Sequence, residues 1–438
     1  MNYVSTTEKA HFWSMKYVLN NTVIDQEGLI MIIDNCPKFL RSFFKPIQPY
    51  FSKPQFNHLW AMTLALIIRI GRANIRGVSK VLPQQGHRTS HGHFLAQSQW
   101  NASAVLDDRV WAMIRRMRPK LGETIYLLLD DTRNGKRGKK MVCLSKIWDH
   151  THQRYVRGHI VVTGAVMFRG VVFPWRFVLY RPRKYAKSSY RKLTEIAADI
   201  IDEFTPPEGM KVRILFDAYY LCPKVTKTCE KRGFTWFSVA SKNRTFTGVR
   251  AGKRRISDFA PGFLRHKGQS VRMPRSRGWA TLRIAWADGR LARIGKVRMV
   301  VSKRPGSPWK TMVCFVSNET NLGARQIVSI YEKRWAIEVL FKELRGELGL
   351  GDYQVLSEDA ILRHLHLCGL AHLVLTHHSL EAVGAQARKA NVEVALPAMS
   401  QRLEALRSSI RREQIKRIVK IKSHRNLVQK LNNYLLAA

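Results

Sequence analysis

Apolar and polar positions change rhythm several times along the chain. "HLWAMTLALIIRI" (58–70) is apolar on nearly every side and predicts a buried helix, and "RANIRGVSKVL" (72–82) has the apolar spacing of another. A Gly/His/Ser-rich turn, "QQGHRTSHGH", separates these from "FLAQSQWNASAVLDDRVWAMIRRM", where Asn101 or Ser103 can cap a further helix. Two short helices about a turn fit either a helix-turn-helix DNA reader or a plain packing hairpin.

After Gly122 the pattern turns to strands. "TIYLLLDD" is a continuous apolar run ending in carboxylates, as expected of a central strand, and "MVCLSKIWDH" and "HIVVTGAVMFRGVVFPWRFVLY" continue the β-rich stretch. "SSYRKLTEIAADIIDEF" has helical spacing; "KVRILFDAYY" predicts a second buried strand ending in an acid, and "GFTWFSVAS" a third. This alternation indicates a mixed α/β domain. Leu282, Ile284 and Trp286 then alternate onto one face of a predicted hairpin turning at Asp288-Gly289, the centre of an antiparallel β-rich insertion. The core resumes with "WKTMVCFVS" and the helix "YEKRWAIEVLFKELRGELGLG" (331–351). There Ile337, Leu340, Phe341, Leu344 and Leu348 form a core-facing stripe, while Tyr331, Glu338 and Arg345 recur every seven residues on a second stripe, with Arg334 between them. The expected organisation is a helical N-terminal DNA-binding domain (1–120), the first part of a catalytic core (121–240), the basic β-rich insertion (241–308), the second part of the core with the long helix (309–380), and a basic helical C-terminal region (381–438).

Charge narrows the function. With 438 residues, 45% of them hydrophobic, the chain can bury a real core. Its 75 Lys and Arg against 31 Asp and Glu give +44, which predicts a polyanionic partner, nucleic acid first. The excess is spread over folded segments, including Lys253, Arg254 and Arg255 of the insertion, as a broad phosphate-binding surface requires. The cysteines are scattered with no CxxC pair, the N-terminus lacks the apolar region of a signal peptide, and no uncharged apolar run has the roughly 18 residues of a membrane helix. These features predict a cytoplasmic, nucleoid-associated protein with reduced thiols and no membrane partner.

The candidate chemistry rests on three acids. Asp130 and Asp217 each follow an apolar strand, and Glu338 stands at the edge of a buried helix face. Three carboxylates in a cationic protein are what two-metal phosphoryl transfer needs, because hard oxygen anions must hold the ions beside the reacting phosphate. The plainer reading of Glu338 is an ion-paired helix surface with Arg334 and Lys342.

With these residues in hand, the chain resembles the DDE transposases of bacterial insertion sequences, which have an RNase H-like catalytic core, and in particular the subgroup with a Tyr-x2-Arg-x3-Glu-x6-Lys signature. Tyr331, Arg334 and Glu338 match, with Arg345 in place of the final Lys and Lys342 able to share its role; "LLLDDT" resembles the first-acid motif and "ILFDAYY" the second. The resemblance implies Asp130, Asp217 and Glu338 as catalytic ligands of two Mg²⁺ (or Mn²⁺) ions, with Asp131 as the alternative to Asp130 and Thr132 as the accompanying hydroxyl. Tyr331, Arg334, Lys342 and Arg345 are then expected to bind DNA phosphates, as are Lys253, Arg254 and Arg255. It implies an endonuclease and strand transferase acting by cut-and-paste transposition on double-stranded DNA, both the element's terminal inverted repeats and the target, as a homodimer in a synaptic complex. The rivals are an RNase H-like nuclease or resolvase and a catalytically inactive DNA-binding descendant.

Other patterns carry less. His364 and Cys368 stand one helical turn apart, a conceivable zinc pair, within a run that otherwise reads as a structural helix. Trp279, Trp286 and Trp309 are expected to be sheet-core aromatics, or else a platform for a flipped base. The terminal stretch with Ile410, Ile415, Ile418 and Ile421 is either an amphipathic DNA-binding or pairing helix or a solvated basic tail.

Overall fold

The computed structural model describes residues 38–69, 71–81, 88–138, 140–149, 153–248, 252–275 and 278–419. Helices α1 (Lys38–Phe44), α2 (Lys53–Ile68), α3 (Ile75–Val81), α4 (Arg88–Ala96) and α5 (Ala102–Arg116) come first. α2 is buried nearly all round, as its unbroken apolar composition predicts. Asn101 is the residue that caps α5, its Oδ1 accepting the Ala104 N–H at 3.0 Å, while Ser103 lies inside the helix. The stretch expected to be a turn is helical in its second part, since α4 takes in Arg88–His93, and residues 82–87 lie outside those described.

The sheet starts with β1 (Thr124–Gly135), β2 (Ser145–Asp149), β3 (Arg154–Phe168) and β4 (Val171–Leu179). Ile125, Leu127, Leu128 and Leu129 of β1 are fully buried; burial on both faces is what a continuous apolar run means in a central strand. Helix α6 (Leu193–Asp202) leads to β5 (Lys211–Phe216), and α7 (Pro223–Lys231) to β6 (Thr235–Val239). β1, β5 and β6 run parallel, β3 lies antiparallel against β1, and β4 folds back on β3 through Arg169-Gly170, both at positive φ. The order β4-β3-β1-β5-β6 is the mixed α/β, RNase H-like core expected from the sequence. Gly164 of β3 lets α6 close onto the sheet, since a Cβ there would stand 2.9 Å from Ile200 and 3.3 Å from Trp175.

Contrary to expectation, β1 does not stop at its carboxylates but runs on to Gly135, held by β3 as far as the Gly135–Gly158 pair. What ends at the acids is the pairing with β5, whose last couple is Leu129–Phe216. Asp130 and Asp131 therefore stand just past the cover of the neighbouring parallel strand.

Beyond β6 lie β7 (Thr245–Gly248), β8 (Gly252–Arg255), α8 (Ile256–Lys267), β9 (Gln269–Arg275), β10 (Gly278–Leu291), β11 (Gly295–Lys303) and β12 (Val313–Ser317). All their mutual pairings are antiparallel, and β12 joins them to β6, so core and insertion share one sheet. The predicted turn at Asp288-Gly289 is wrong: β10 continues through it to Leu291, and the chain reverses at Ala292–Ile294, where Arg293 and then Gly295 take positive φ. Asp288 is held in the strand by the Arg298 guanidinium opposite it (2.7 and 2.6 Å), and Gly289 lies where a Cβ would collide with Phe246. The sheet-core expectation also fails for two tryptophans. Trp279 and Trp286 are 59% and 51% exposed, each covered by an arginine, Arg272 and Arg298, rather than by another element; Trp309 is half-buried beside Arg265 and Lys303.

The last helices are α9 (Ala324–Glu332), α10 (Trp335–Gly346), α11 (Glu358–Val383) and α12 (Met399–Val419). α11 is buried from Ala360 to Ser379 except at Leu362 and His378, and packs against α2, α4, α5, α12 and β4, which makes it the axle of the helical layer. His364 and Cys368 belong to that interior: they bond the Gly349 and Leu348 carbonyls, and burial pushes the imidazole down to about 4 and the thiol up. α12 is no solvated tail through its first half, because Leu403 and Leu406 are buried, Arg402 grips Glu343 (2.9 Å) and Arg407 bonds the Ile67 carbonyl. Of the four isoleucines in the terminal stretch, Ile410 packs partly buried against the core, while the side chains of Ile415 and Ile418 and the whole of Ile421 lie outside those described. Cys143, Cys222, Cys229, Cys314 and Cys368 are free thiols, and among the described residues no helix is long and apolar enough to cross a membrane.

Candidate active site

Side chains alternate across a strand, so β1 sends its two neighbouring acids to opposite faces. Asp130 meets the helical layer, where Arg334 Nη1 donates to its Oδ2 at 2.7 Å. Asp131 points the other way and accepts from the hydroxyl of the buried Tyr220 at 3.2 Å. Asp217 follows β5, the strand beside β1; its Oδ1 accepts the N–H groups of Tyr219 (3.0 Å) and Tyr220 (3.3 Å), and Ser238 Oγ donates to its main-chain carbonyl. These bonds fix the carboxylate at the strand end.

Glu338 comes from α10. The sequence suggested one continuous helix from Tyr331, but the chain breaks at Lys333-Arg334, so Tyr331 lies in the last turn of α9 and Arg334 is the residue preceding α10. The core-facing stripe is as expected, with Ile337, Leu340, Phe341, Leu344 and Leu348 all buried. The second stripe is not a single helical line. At the break, the Arg334 guanidinium spans Asp130 and Glu338, donating to the latter at 3.2 Å. Arg345 reaches back from the last turn of α10 to the Thr132 hydroxyl, and Tyr331 packs edge-on against Phe315. Lys342 is exposed on α10.

The electrostatics follow from this crowding. Burial, and after it the charges of Glu338 and Asp217, push Asp130 up to about 7, with Arg334 and the Asp131 N–H pulling the other way. Burial likewise raises Asp217, against the N–H groups of Tyr219 and Tyr220 and the charge of Arg334. Burial opposes the charge on Arg334 too, but Tyr331, Asp130 and Glu338 outweigh it and keep the guanidinium firmly protonated. Burial pushes the Tyr331 phenol up to about 12. The site is thus a knot of carboxylates with the Arg334 guanidinium fixed among them. Among the described residues, no three His, Cys, Asp or Glu groups stand close enough together to hold a single ion.

Asp130, Asp217, Glu338, Tyr331, Arg334 and Arg345 are brought into one neighbourhood. Lys253, Arg254 and Arg255 are not: they lie exposed on β8, seven strand spacings from β1 along the sheet, roughly 30 Å for a flat sheet. Sequence reasoning missed Tyr219, Tyr220 and Ser238, which orient the acids. For the tyrosines, two and three residues after Asp217, the available signal was their distance along the chain, from which backbone N–H groups reach an aspartate side chain that begins a turn.

A family model described as DDE superfamily endonuclease matches residues 46–288, more than half of the chain and a span that includes Asp130 and Asp217, while α10 lies beyond it. A probable transposase for insertion sequence element IS701 from Microchaete diplosiphon is 24% identical over 194 residues, covering 44% of this chain and 48% of that protein. The chain thus matches about half the length of this relative. With its mixed sheet and its acids on neighbouring parallel strands, the chain belongs to the DDE superfamily endonucleases.

Proposed function

We propose that this endonuclease is a transposase that nicks DNA at the ends of an insertion sequence and joins the freed 3′ end to target DNA in a cut-and-paste reaction. The observation that carries the reading is Arg334 bridging Asp130 and Glu338, with Asp217, after the strand beside β1, near enough for its charge to act on Asp130. The IS701 relative supports the transposase reading over a structure-selective nuclease.

The residues fit divalent cations in kind: the donors are hard carboxylate oxygens, and Asp130, raised first by burial and then by the charges of Glu338 and Asp217, is a carboxylate whose charge a cation would stabilise. Asp130, Asp217 and Glu338 would hold Mg²⁺ or Mn²⁺, two ions by the family's chemistry, which when bound would supply Lewis acidity and activate the attacking water or hydroxyl. Arg334 keeps Asp130 and Glu338 from repelling each other and presents its remaining donors toward a phosphate. Arg345, tethered to Thr132, adds a planar cation beside β1 suited to bidentate phosphate contact. Tyr331 supports the α9–α10 junction from which Arg334 emerges. The exposed cations of β8 extend the DNA track away from the cleavage point, and a homodimer would pair two element ends.

The test is nicking of a supercoiled plasmid carrying the element's ends. Wild type should nick in Mg²⁺ and stop in chelator, while Asp217→Ala should lose at least about 10²-fold, the scale for removing a transition-state charge stabiliser. Equal nicking by both proteins sinks the assignment. Plasmids without the ends separate a transposase, which ignores them, from a general nuclease. A second reading, a DNA binder without chemistry, is favoured by one observation, the engagement of two of the three acids by Arg334. Tight binding of element ends with no nicking by wild type in either metal would establish it.

A further inference from the structure

An open cavity of about 530 Å³ lies on the side of the core away from β8, between β2, the segment after β4, the start of α6 and Tyr219. Its wall carries three phenols, Tyr180, Tyr190 and Tyr219, and three ammonium groups, Lys146, Lys184 and Lys192, and among the described residues no carboxylate lines it. The aromatic side is ordered: the Tyr180 and Tyr190 hydroxyls lie 3.2 Å apart, and Arg183 stands 4.7 Å over the Tyr190 ring. The hydroxyl of Ser145, in the same wall, is buried without a hydrogen-bond partner.

We propose that this cavity binds an unpaired stretch of DNA strand next to the cleavage site, a base stacking on the tyrosines and its phosphates lying on the lysines. The inference rests on the DNA reading given above. Flat π faces edged by cations suit single-stranded nucleic acid, where stacking is tolerant of sequence and the backbone needs only positive charge. The volume falls in the range of roughly 300–1,000 Å³ typical of sites for small ligands, so it takes a nucleotide or two and excludes a duplex. The placement gives it a purpose. Tyr219 is both part of the wall and a donor to Asp217 through its backbone N–H, so a strand seated here is one side chain from the acids. The Ser145 hydroxyl offers a hydrogen bond to a base edge or phosphate oxygen.

The experiment compares the full chain's affinity for a blunt duplex and for the same duplex with a short single-stranded extension of either polarity, the extension carrying 2-aminopurine. Wild type should bind one extended duplex more tightly by about fivefold or more, the scale of one stacked base, and quench the probe. Tyr190→Ala should erase both effects with blunt-duplex affinity unchanged, Tyr190→Phe should restore them, and Lys184→Glu, a surface change safe for folding, should cut the preference on its own. No preference in wild type, or full preference and quenching in Lys184→Glu and Tyr190→Ala, overturns the proposal while the endonuclease reading stands. No binding to any DNA removes both.

Discussion

Glu123 sits just before β1 and ties three distant parts of the chain together. Its carboxylate accepts from Arg169 in the β3–β4 turn (3.0 and 2.6 Å), from the N–H of Asn391 (2.7 Å) and from the N–H of Lys120 (2.8 Å). Burial alone would raise its pKa, yet the Arg169 hydrogen bonds and the two backbone donors outweigh that and hold it at about 2, against an ordinary 4.5. At about 1.4 kcal/mol per unit this is roughly 3 kcal/mol of stability at neutral pH. The side chain is only 4% exposed, so solvent screening removes little, and breaking a buried pair generally costs about 3–5 kcal/mol. The substitution Glu123→Gln keeps the shape, removes the charge and turns an amide N–H₂ toward donors. A loss of about 2–3 kcal/mol is expected, a fall in Tm of roughly 5 °C at the low end of the per-kcal scale for large chains. Because the folded pKa is depressed, the contribution is complete above about 4.5 and is lost as pH falls through about 2. Calorimetric Tm values should therefore differ by a constant amount from about pH 6 to 8 and converge as the medium is acidified below about 4.5. A difference that is under about 1 °C at neutral pH, or that persists undiminished in acid, refutes the reasoning.

Two other perturbations test different parts of the account. Reversing the charges of Lys253, Arg254 and Arg255 should weaken DNA binding and flatten the salt dependence of log K by up to about 0.9 for each phosphate no longer neutralised, and a titration whose slope is unchanged counts against β8 as a DNA surface. Gly164→Ala should destabilise by about 1–3 kcal/mol through overpacking against Ile200 and Trp175, read as a lowered urea midpoint; a neutral result means α6 is not seated on β3 as described.

The core was legible in the chain because it is built from uninterrupted apolar runs, and burial on both faces leaves few alternatives to "YLLL" or "RILF" as central strands. Asp130 and Asp217 were found for the same reason, since each follows such a run, whereas Glu338 was found from the helical spacing and the signature around it. What escaped were features set by partners distant in sequence. Asp288-Gly289 has the composition of a turn, but an arginine ten residues on captures the aspartate and a phenylalanine from β7 fills the space over the glycine. The break between α9 and α10 carries no Gly or Pro to announce it, and apolar spacing runs through it without interruption. The exposure of Trp279 and Trp286 is likewise invisible locally, because alternation predicts a face but not whether anything covers it.

β8 closes the sheet among the described strands, and Gly252, Lys253, Arg254 and Arg255 are all exposed along it. A terminal strand offers unsatisfied backbone groups to any passing chain, and a row of like charges is a common guard against such annealing. The cations that attract DNA would thus also keep two copies from zipping sheet to sheet. Variants stripped of these charges to lower nonspecific DNA retention should precipitate sooner, so solubility and nucleic-acid affinity cannot be tuned independently at this edge.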